Sequence, residues 1–312
     1  MDIKALRYFL TIAQFGSITR AAIYLSVAQP ALSRQIRKLE TDLGVQLLHR
    51  SARGVLLTEA GKRLAARAGG ILSQIDRVRA ETQSCGDNPA GPVSVALMPA
   101  VGSMIAPDLV RSVREQFPEV RLTLSEGLTS FIGEGLISEG VDLGLFHAEK
   151  NDPAFAITPL LTEPMFLVGP GMDCETGGTS SKRGITLAEL ASYPLLLPSR
   201  PNALRLMIDR LASAQQVQLD IREDVDSSSI IKRLVGAGLG YTIQCYSYVH
   251  EEVSRGDLSV RRLTDAGLSR DWSLARLRDR PQAPAVVAVG RAVEEIVAGL
   301  AKARKWQQPR GQ

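Results

Sequence analysis

Ser17-Ile18-Thr19-Arg20-Ala21-Ala22-Ile23-Tyr24-Leu25-Ser26-Val27-Ala28-Gln29-Pro30-Ala31-Leu32-Ser33-Arg34-Gln35-Ile36-Arg37-Lys38-Leu39-Glu40 decides the fold of the first domain. It reads as two helices joined by a tight turn. Ser17 is the expected N-cap of the first, and Ala21, Ala22 and Leu25 give it a small apolar face that lets the pair cross closely. The second helix is expected from about Ala28 to Leu43. Its spacing buries Leu32, Ile36, Leu39 and Leu43, and Pro30 fits a first turn that has no use for its missing N–H. The opposite face carries Gln29, Ser33, Arg34, Arg37 and Lys38, donors suited to base edges and phosphates. Such a pair pushes its second helix into the DNA major groove.

Outward from this pair, Ile3 to about Phe15 forms an opening helix whose Leu6, Phe9, Leu10, Ile12 and Ala13 lie beneath it. A hairpin follows, with strands near Gln46–His49 and Val55–Leu57 turned by Ala52-Arg53-Gly54. Gly54 supplies the backbone freedom of a tight turn, and Arg53 projects from the tip, where an adjacent minor groove attracts a guanidinium. Together, Ala21-Ala22, Gln29-Pro30-Ala31-Leu32-Ser33-Arg34-Gln35-Ile36, Leu39-Glu40, Leu43-Gly44 and Leu57-Thr58-Glu59-Ala60-Gly61 resemble the winged helix-turn-helix of LysR-type transcriptional regulators. The match is dense over about the first 65 residues. Leu48 stands where many members carry Phe, a core position. The resemblance implies the same minor-groove role for Arg53, base reading by Gln29, Ser33 and Arg34 with apolar contact from Pro30, and phosphate contacts from Arg37, Lys38 and Arg50.

Charge points the same way. Residues 1–85 hold 13 Lys and Arg against 6 Asp and Glu, while residues 86–312 hold 24 against 27. The whole-chain balance of +4 is therefore a basic head on a slightly acidic body, and clustered basic residues supply the sequence-independent attraction to phosphates. No stretch approaches the roughly 20 apolar residues of a membrane span, and Met1-Asp2-Ile3-Lys4 opens no signal-peptide apolar run. The expected location is the cytoplasm. Three scattered cysteines, Cys85, Cys174 and Cys245, fit a reducing compartment and lack zinc spacing. Redox sensing by Cys174 and Cys245 stands beside the plainer reading of unpaired thiols.

Thr58 caps a long helix running to about Ser84. Leu64, Ala68, Ile71, Ile75 and Val78 form a heptad stripe on it. A helix packed on its own domain shows the same stripe, but length and position favour pairing with a second copy. Pairing would set two recognition helices on successive major-groove faces, about 34 Å apart. Gly86-Asp87-Asn88-Pro89-Ala90-Gly91-Pro92 then breaks the helix.

From Val93 strands alternate with helices: Val93–Met98, Ile105–Phe117, Arg121–Ser125, Ser130–Ser138 and Leu143–Phe146. That order argues for a parallel sheet covered on both faces. The pattern restarts at Pro164–Val168 and continues through Leu187–Ala191, Pro194–Leu197, Asn202–Ala214, Gln218–Arg222, Ile230–Ala237 and Tyr241–Gln244. A strand near Trp272–Leu277 and a helix near Ala292–Trp306 close the chain, and Gly177–Lys182 reads as a surface loop. The expected fold is α/β with a winged helix-turn-helix head. A long linker helix leads to a two-lobed α/β effector-binding body, which resembles that of the same family and periplasmic solute-binding proteins. The expected boundaries are 1–58 for the DNA-binding domain, 59–90 for the linker and hinge, and 91–312 for the body. Lobe I takes 91–162 and 269–312, lobe II 163–268, with crossovers near Leu160–Pro164 and Leu263–Leu268.

Open parallel sheets bind ligands beyond the carboxyl ends of their strands. Three loops are placed there: Pro99 to Ser103, Glu126 to Ser130, and Pro198 to Asn202. Each sets hydroxyls or N–H groups at a helix N-terminus, which suits an anion. Ala100, Gly102, Ser103, Thr129, Ser130, Ser199, Arg200 and Asn202 are the candidate effector contacts. Arg200 is the expected carboxylate clamp, although each hydroxyl alone serves equally as a helix cap. His147, after the third strand, is either a structural histidine or a ligand contact. His49 and His250 have no partners that suggest chemistry. Val235-Gly236-Ala237-Gly238-Leu239-Gly240 follows a helix rather than a strand, so it reads as a turn and not a dinucleotide loop; Asp226-Ser227-Ser228 would cap that helix.

No motif supplies a nucleophile with a base, a metal cluster or a cofactor loop, so neither an enzyme nor a resident cofactor is expected. A solute-binding protein would leave the basic head unexplained, and an architectural DNA binder would leave the body without use. The reading is a regulator of a double-stranded, inverted-repeat promoter site. It is controlled by a small, anionic metabolite and acts as a homodimer or homotetramer, with RNA polymerase as a further partner.

Overall fold

The computed structural model describes residues 2–51, 54–83, 88–148, 152–171 and 184–302. Arg53, Cys85, Cys174, the Gly177–Lys182 loop and Trp306 lie outside the described residues. Three helices open the chain: α1 (Ile3–Phe15), α2 (Ile18–Tyr24) and α3 (Gln29–Leu43). Asp2 and Ser17 cap the first two with side-chain oxygens, and Gly16 and Gly44 end α1 and α3 in the left-handed conformation. Phe9, Ile12, Ala21, Leu32 and Ile36 are fully buried between them. Each large side chain among these contributes about 1.5–3 kcal/mol by leaving water. Leu43, expected in this core, is instead 39% exposed, because α3 ends there against Gly44. Strands β1 (Leu48–Ser51) and β2 (Gly54–Leu57) form the antiparallel wing. The Glu40 carboxylate accepts from the N–H groups of Leu47 and Leu48, which fixes the wing to α3.

Helix α4 (Glu59–Gln83) starts where the Thr58 hydroxyl oxygen accepts from the Gly61 N–H. Gly61 is required by close approach: a Cβ there would lie 2.1 Å from the Leu47 carbonyl oxygen. The stripe expected to face a second copy is divided. Leu64 and Ala68, with Leu72, pack on Leu6 and Leu10 of α1 within the chain. Arg7 adds a two-pronged ion pair to Asp76 at 2.7 and 2.8 Å. Of the described stripe residues, Ile71 and Val78 on the other side of α4 remain exposed. The stripe thus belongs in part to the head's own core, because α1 is close enough to cover one flank of it.

The body begins with β3 (Gly91–Leu97), α5 (Pro99–Gln116), β4 (Val120–Glu126), α6 (Thr129–Ile137) and β5 (Leu143–Phe146), with β3 parallel to both β4 and β5. Helix α5 starts six residues before the expected Ile105, so the expected Pro99–Ser103 loop is its first turns. Strand β6 (Phe155–Pro170) is one continuous strand of 16 residues through the expected first crossover. Its first part pairs with β11 (Ser269–Leu277), its last part with β9 (Thr242–Cys245) and β10 (Leu258–Arg262). One strand therefore runs through both sheets. Between its two ends lie β7 (Leu195–Leu197), α7 (Ala203–Ala214), β8 (Ile221–Asp224), α8 (Ser228–Gly236) and α9 (Tyr246–Arg255). Helix α9 and β10 were not expected from the sequence, and β8 lies three residues beyond the predicted Gln218 start. Helix α10 (Pro284–Lys302) returns to the first sheet.

Alternate residues of β6 explain the second lobe's layers. Met165 and Leu167 face α7 through Leu195, Leu197 and Ile208, whereas Phe166 and Val168 face α8 and α9 through Ile231 and Val249. A strand apolar on both faces needs a helix on each. The first lobe has its own core, built on Val95, Leu97, Ile105, Leu145, Trp272 and Val293.

Candidate functional site

The first candidate surface is α3. Burying Leu32, Ile36 and Leu39 forces the other flank outward, and Gln29, Pro30, Arg34, Arg37 and Lys38 are all exposed. Among the described residues, the Arg34, Arg37 and Lys38 side chains make no ion pair within the chain, so their charge is available to an external anion. Ser33, expected on this ridge, is instead buried. It lies three residues before Ile36, on the edge of the core stripe, and its hydroxyl oxygen accepts from the Gln29 amide at 3.4 Å. Arg50 lies in wing strand β1 opposite Val55.

The second candidate is where the two lobes meet. Strands β3, β4 and β5 end together, and Met98, just past β3, donates its N–H to Leu145 of β5. Ala100 and Gly102 are buried in the first turns of α5. Gly102 lets α5 approach the end of β4, since a Cβ there would meet the Glu126 carboxylate at 3.0 Å. Ser103 is exposed, and its hydroxyl donates to the Ala100 carbonyl. Thr129 opens α6 with its hydroxyl 4.0 Å from the Met98 sulfur, and Ser130 is exposed beside it.

In the third expected loop the polar groups already have partners within the chain. Arg200 is paired with Asp209 at 2.7 Å, and the Ser199 hydroxyl and N–H both donate to Asp226. Asn202 caps α7 by accepting from Leu204, and Ser227, within the expected Asp226-Ser227-Ser228 stretch, caps α8. Beneath the loop, buried Arg205 donates to the Pro198 carbonyl and to Asp224 and pairs with Asp209. The loop's polar groups are thus consumed by its own support, a pairing between distant segments that spacing does not reveal.

The structure gathers a different polar cluster at the lobe junction. Glu163, in the middle of β6, is fully buried. Its carboxylate accepts from Trp272 Nε1 at 2.7 Å, from the Ser247 N–H at 2.7 Å and from the Ser247 hydroxyl at 2.8 Å. It therefore caps α9 and ties β6 to β11; burial pushes its pKa up against the pull of these donors. His147 sits at the end of β5 with its ring 3.9 Å from that of Trp272. Nδ1 lies 2.9 Å from the Asp271 carbonyl oxygen and so carries the proton. Burial first, then the Arg270 charge, lowers the His147 pKa to about 3, so the ring is neutral. Its Nε2 is buried and has no hydrogen-bond partner among the described residues. Tyr248 packs against the cores of both lobes. Sequence reasoning missed Arg270, Tyr248 and Glu163; the only signal was an arginine two places before a strand tryptophan.

Cys245 is fully buried in apolar surroundings, and burial raises its thiol pKa well above the ordinary value. A thiol held protonated is a poor redox sensor. His49 is exposed, and His250 Nδ1 lies 3.1 Å from the Ser247 carbonyl oxygen. Among the described residues, no helix is long and apolar enough to cross a membrane.

Comparison with known proteins identifies both parts of the chain. Residues 3–62 match the family described as bacterial regulatory helix-turn-helix protein, lysR family, and residues 86–297 match the LysR substrate binding domain. The nitrogen assimilation regulatory protein nac of Escherichia coli K12 is 31% identical over 311 residues, covering 98% of this chain and 99% of that protein. A full-length OxyR point variant from Pseudomonas aeruginosa is 25% identical, with a TM-score of 0.66, covering 100% of this chain and 99% of that one. Full-length CbnR complexed with its target DNA has a TM-score of 0.70 at 24% identity, covering 95% and 100%. The chain belongs to the LysR family: it is a DNA-binding transcriptional regulator with a helix-turn-helix head and an effector-binding body.

Proposed function

We propose that this regulator reads an inverted-repeat promoter site through α3 and is switched by a small anionic metabolite held between the lobes. The observation that carries the reading is the exposed ridge of α3, cationic and unpaired among the described residues, on the most basic part of the chain. Gln29 and Arg34 read bases, Pro30 makes apolar contact, and Ser33 orients Gln29 from behind. Arg37, Lys38 and Arg50 hold phosphates, and Arg53 enters the adjacent minor groove. The head comprises residues 1–58, the linker and hinge 59–90, and the body 91–312, with lobe I at 91–162 plus 269–312 and lobe II at 163–268. Linker helices pair through the exposed flank of α4 in a homodimer or homotetramer, which works in the cytoplasm and contacts RNA polymerase.

The effector lies against the first turns of α5 and α6, with Ala100, Gly102, Ser103, Thr129, Ser130 and His147 around it. Ser199, Arg200 and Asn202 shape the opposite wall without holding the ligand's charge. A ligand that prefers one lobe angle shifts the assembly by about 1–3 kcal/mol of coupling. The test is a gel shift on DNA from upstream of the regulator's own gene, against random competitor. Arg34→Ala is expected to weaken the specific complex by about 1–3 kcal/mol and relax one base position. Equal loss on random DNA would make Arg34 a phosphate contact and overturn its assignment as a reader.

A further inference from the structure

The lobe junction holds three polar groups that the described residues leave unanswered. Arg270 lies on β11 directly opposite Glu163 in register, yet among the described residues it forms no ion pair. The Glu163 carboxylate is taken by Ser247 and Trp272 instead. His147 Nε2 is buried with no partner among the described residues, and a buried polar atom without one calls for an explanation. The Tyr248 hydroxyl makes no hydrogen bond to any described residue.

Strand geometry brings these groups to one lobe junction. Strand β11 runs antiparallel to β5, with Ser273 opposite Phe146, the last residue of β5. Arg270 to Trp272 therefore extend past the carboxyl edge of lobe I, on the side of lobe II. There, β9 ends at Cys245 and passes into α9, which carries Tyr248. The Arg270 charge acts on His147 of one lobe and on Tyr248 of the other. Ligands of open α/β sheets bind outside these strand ends.

Resting on the regulator reading above, we propose that Arg270, His147 and Tyr248 form the effector's anion receptor, taking a small carboxylate that carries an adjacent hydroxyl or amine. Arg270 supplies the positive charge. The Tyr248 hydroxyl donates to the carboxylate. His147, with its proton fixed on Nδ1 by the Asp271 carbonyl, offers Nε2 only as an acceptor, so it selects a ligand with a donor next to the carboxylate. Bridging β11 of lobe I to α9 of lobe II, such a ligand prefers one lobe angle.

The experiment is calorimetric titration of the full chain with matched pairs: lactate and propionate, malate and succinate, mandelate and phenylacetate. At least one hydroxy acid is expected to bind, roughly tenfold or more above its unsubstituted partner. Arg270→Gln is expected to abolish binding of both members. His147→Phe, which keeps the ring on Trp272, is expected to equalise them, and Arg114→Gln, in the last turn of α5, to leave both unchanged, while Arg200→Gln tests the competing loop. Circular dichroism melts and gel shifts without ligand check that each variant folds and binds DNA. Full binding by Arg270→Gln, equal affinity within every pair, or binding lost only in Arg200→Gln would each overturn the receptor. No binding of any acid by a protein that still shifts its own promoter would overturn it too, while leaving the regulator reading intact. Failure of that promoter shift would instead strike the regulator reading.

Discussion

Replacing His147 by Phe tests the electrostatics of the lobe junction directly. The phenyl ring keeps the stacking on Trp272, 3.9 Å away, and removes both nitrogens. At pH 7 the loss is the single hydrogen bond to the Asp271 carbonyl, about 1 kcal/mol. The pH dependence has the opposite sign. Burial holds the folded-state pKa near 3, against an ordinary 6.5, so the unfolded chain binds the proton more readily than the native one. A histidine depressed in this way contributes stability that is present above pH 6.5 and lost as pH falls toward 3. By pH 5 the loss in the wild type is about 2 kcal/mol, at about 1.36 kcal/mol per pKa unit. The Phe variant has no such proton to take up. The wild type is thus the more stable protein at pH 7 and the less stable one at pH 5, with the curves crossing between. Urea unfolding followed by the fluorescence of buried Trp272, in a background carrying Trp306→Phe, reports on this body. The difference between the two proteins cancels every other titrating group. A difference that stays constant from pH 5 to pH 8 would refute the buried, neutral histidine.

Two further consequences concern the linker helix. A Cβ at Gly70 would lie 2.1 Å from the Ser138 carbonyl oxygen, so Gly70→Ala pushes α4 off the turn after α6 at about 1–3 kcal/mol. Because Thr129 and Ser138 stand at the two ends of α6, the variant is expected to bind promoter DNA but lose its response to ligand in a footprint; an unchanged response refutes coupling through this contact. Ile71→Asp with Ile75→Asp charges the outer flank of α4 without touching Leu64, Ala68 or Leu72. Sedimentation is expected to show monomer and gel shifts a weakened inverted-repeat complex, and an unchanged mass rules out pairing through this flank.

The head was legible because its instructions are local. Ser17, Pro30, Gly44 and Thr58 act on the backbone within a turn or so of themselves, and the 3.6-residue stripe of Leu32, Ile36 and Leu39 needs no distant partner to be recognised. The strand alternation of lobe I was legible for the same reason. Elements 246–262 escaped because α9 is capped from outside: its N-terminal N–H is met by Glu163, more than 80 residues earlier. In the expected ligand loops, the partners of the polar side chains stayed hidden where pairing is long-range. Ser199 looked free until Asp226 was folded beside it, and Arg200 until α7 presented Asp209.

The sequence by itself determined that a basic winged helix-turn-helix precedes a two-lobed α/β body, since periodicity, capping and charge are properties of neighbouring residues. Only the tertiary structure decided which charges are spent and which remain. Arg200 and Arg270 are alike in the sequence. Folding sets Asp209 against the first and gives the carboxylate opposite the second to Ser247 and Trp272. A side chain's availability depends on residues brought to it by the whole chain, and that is fixed only when the sheets close.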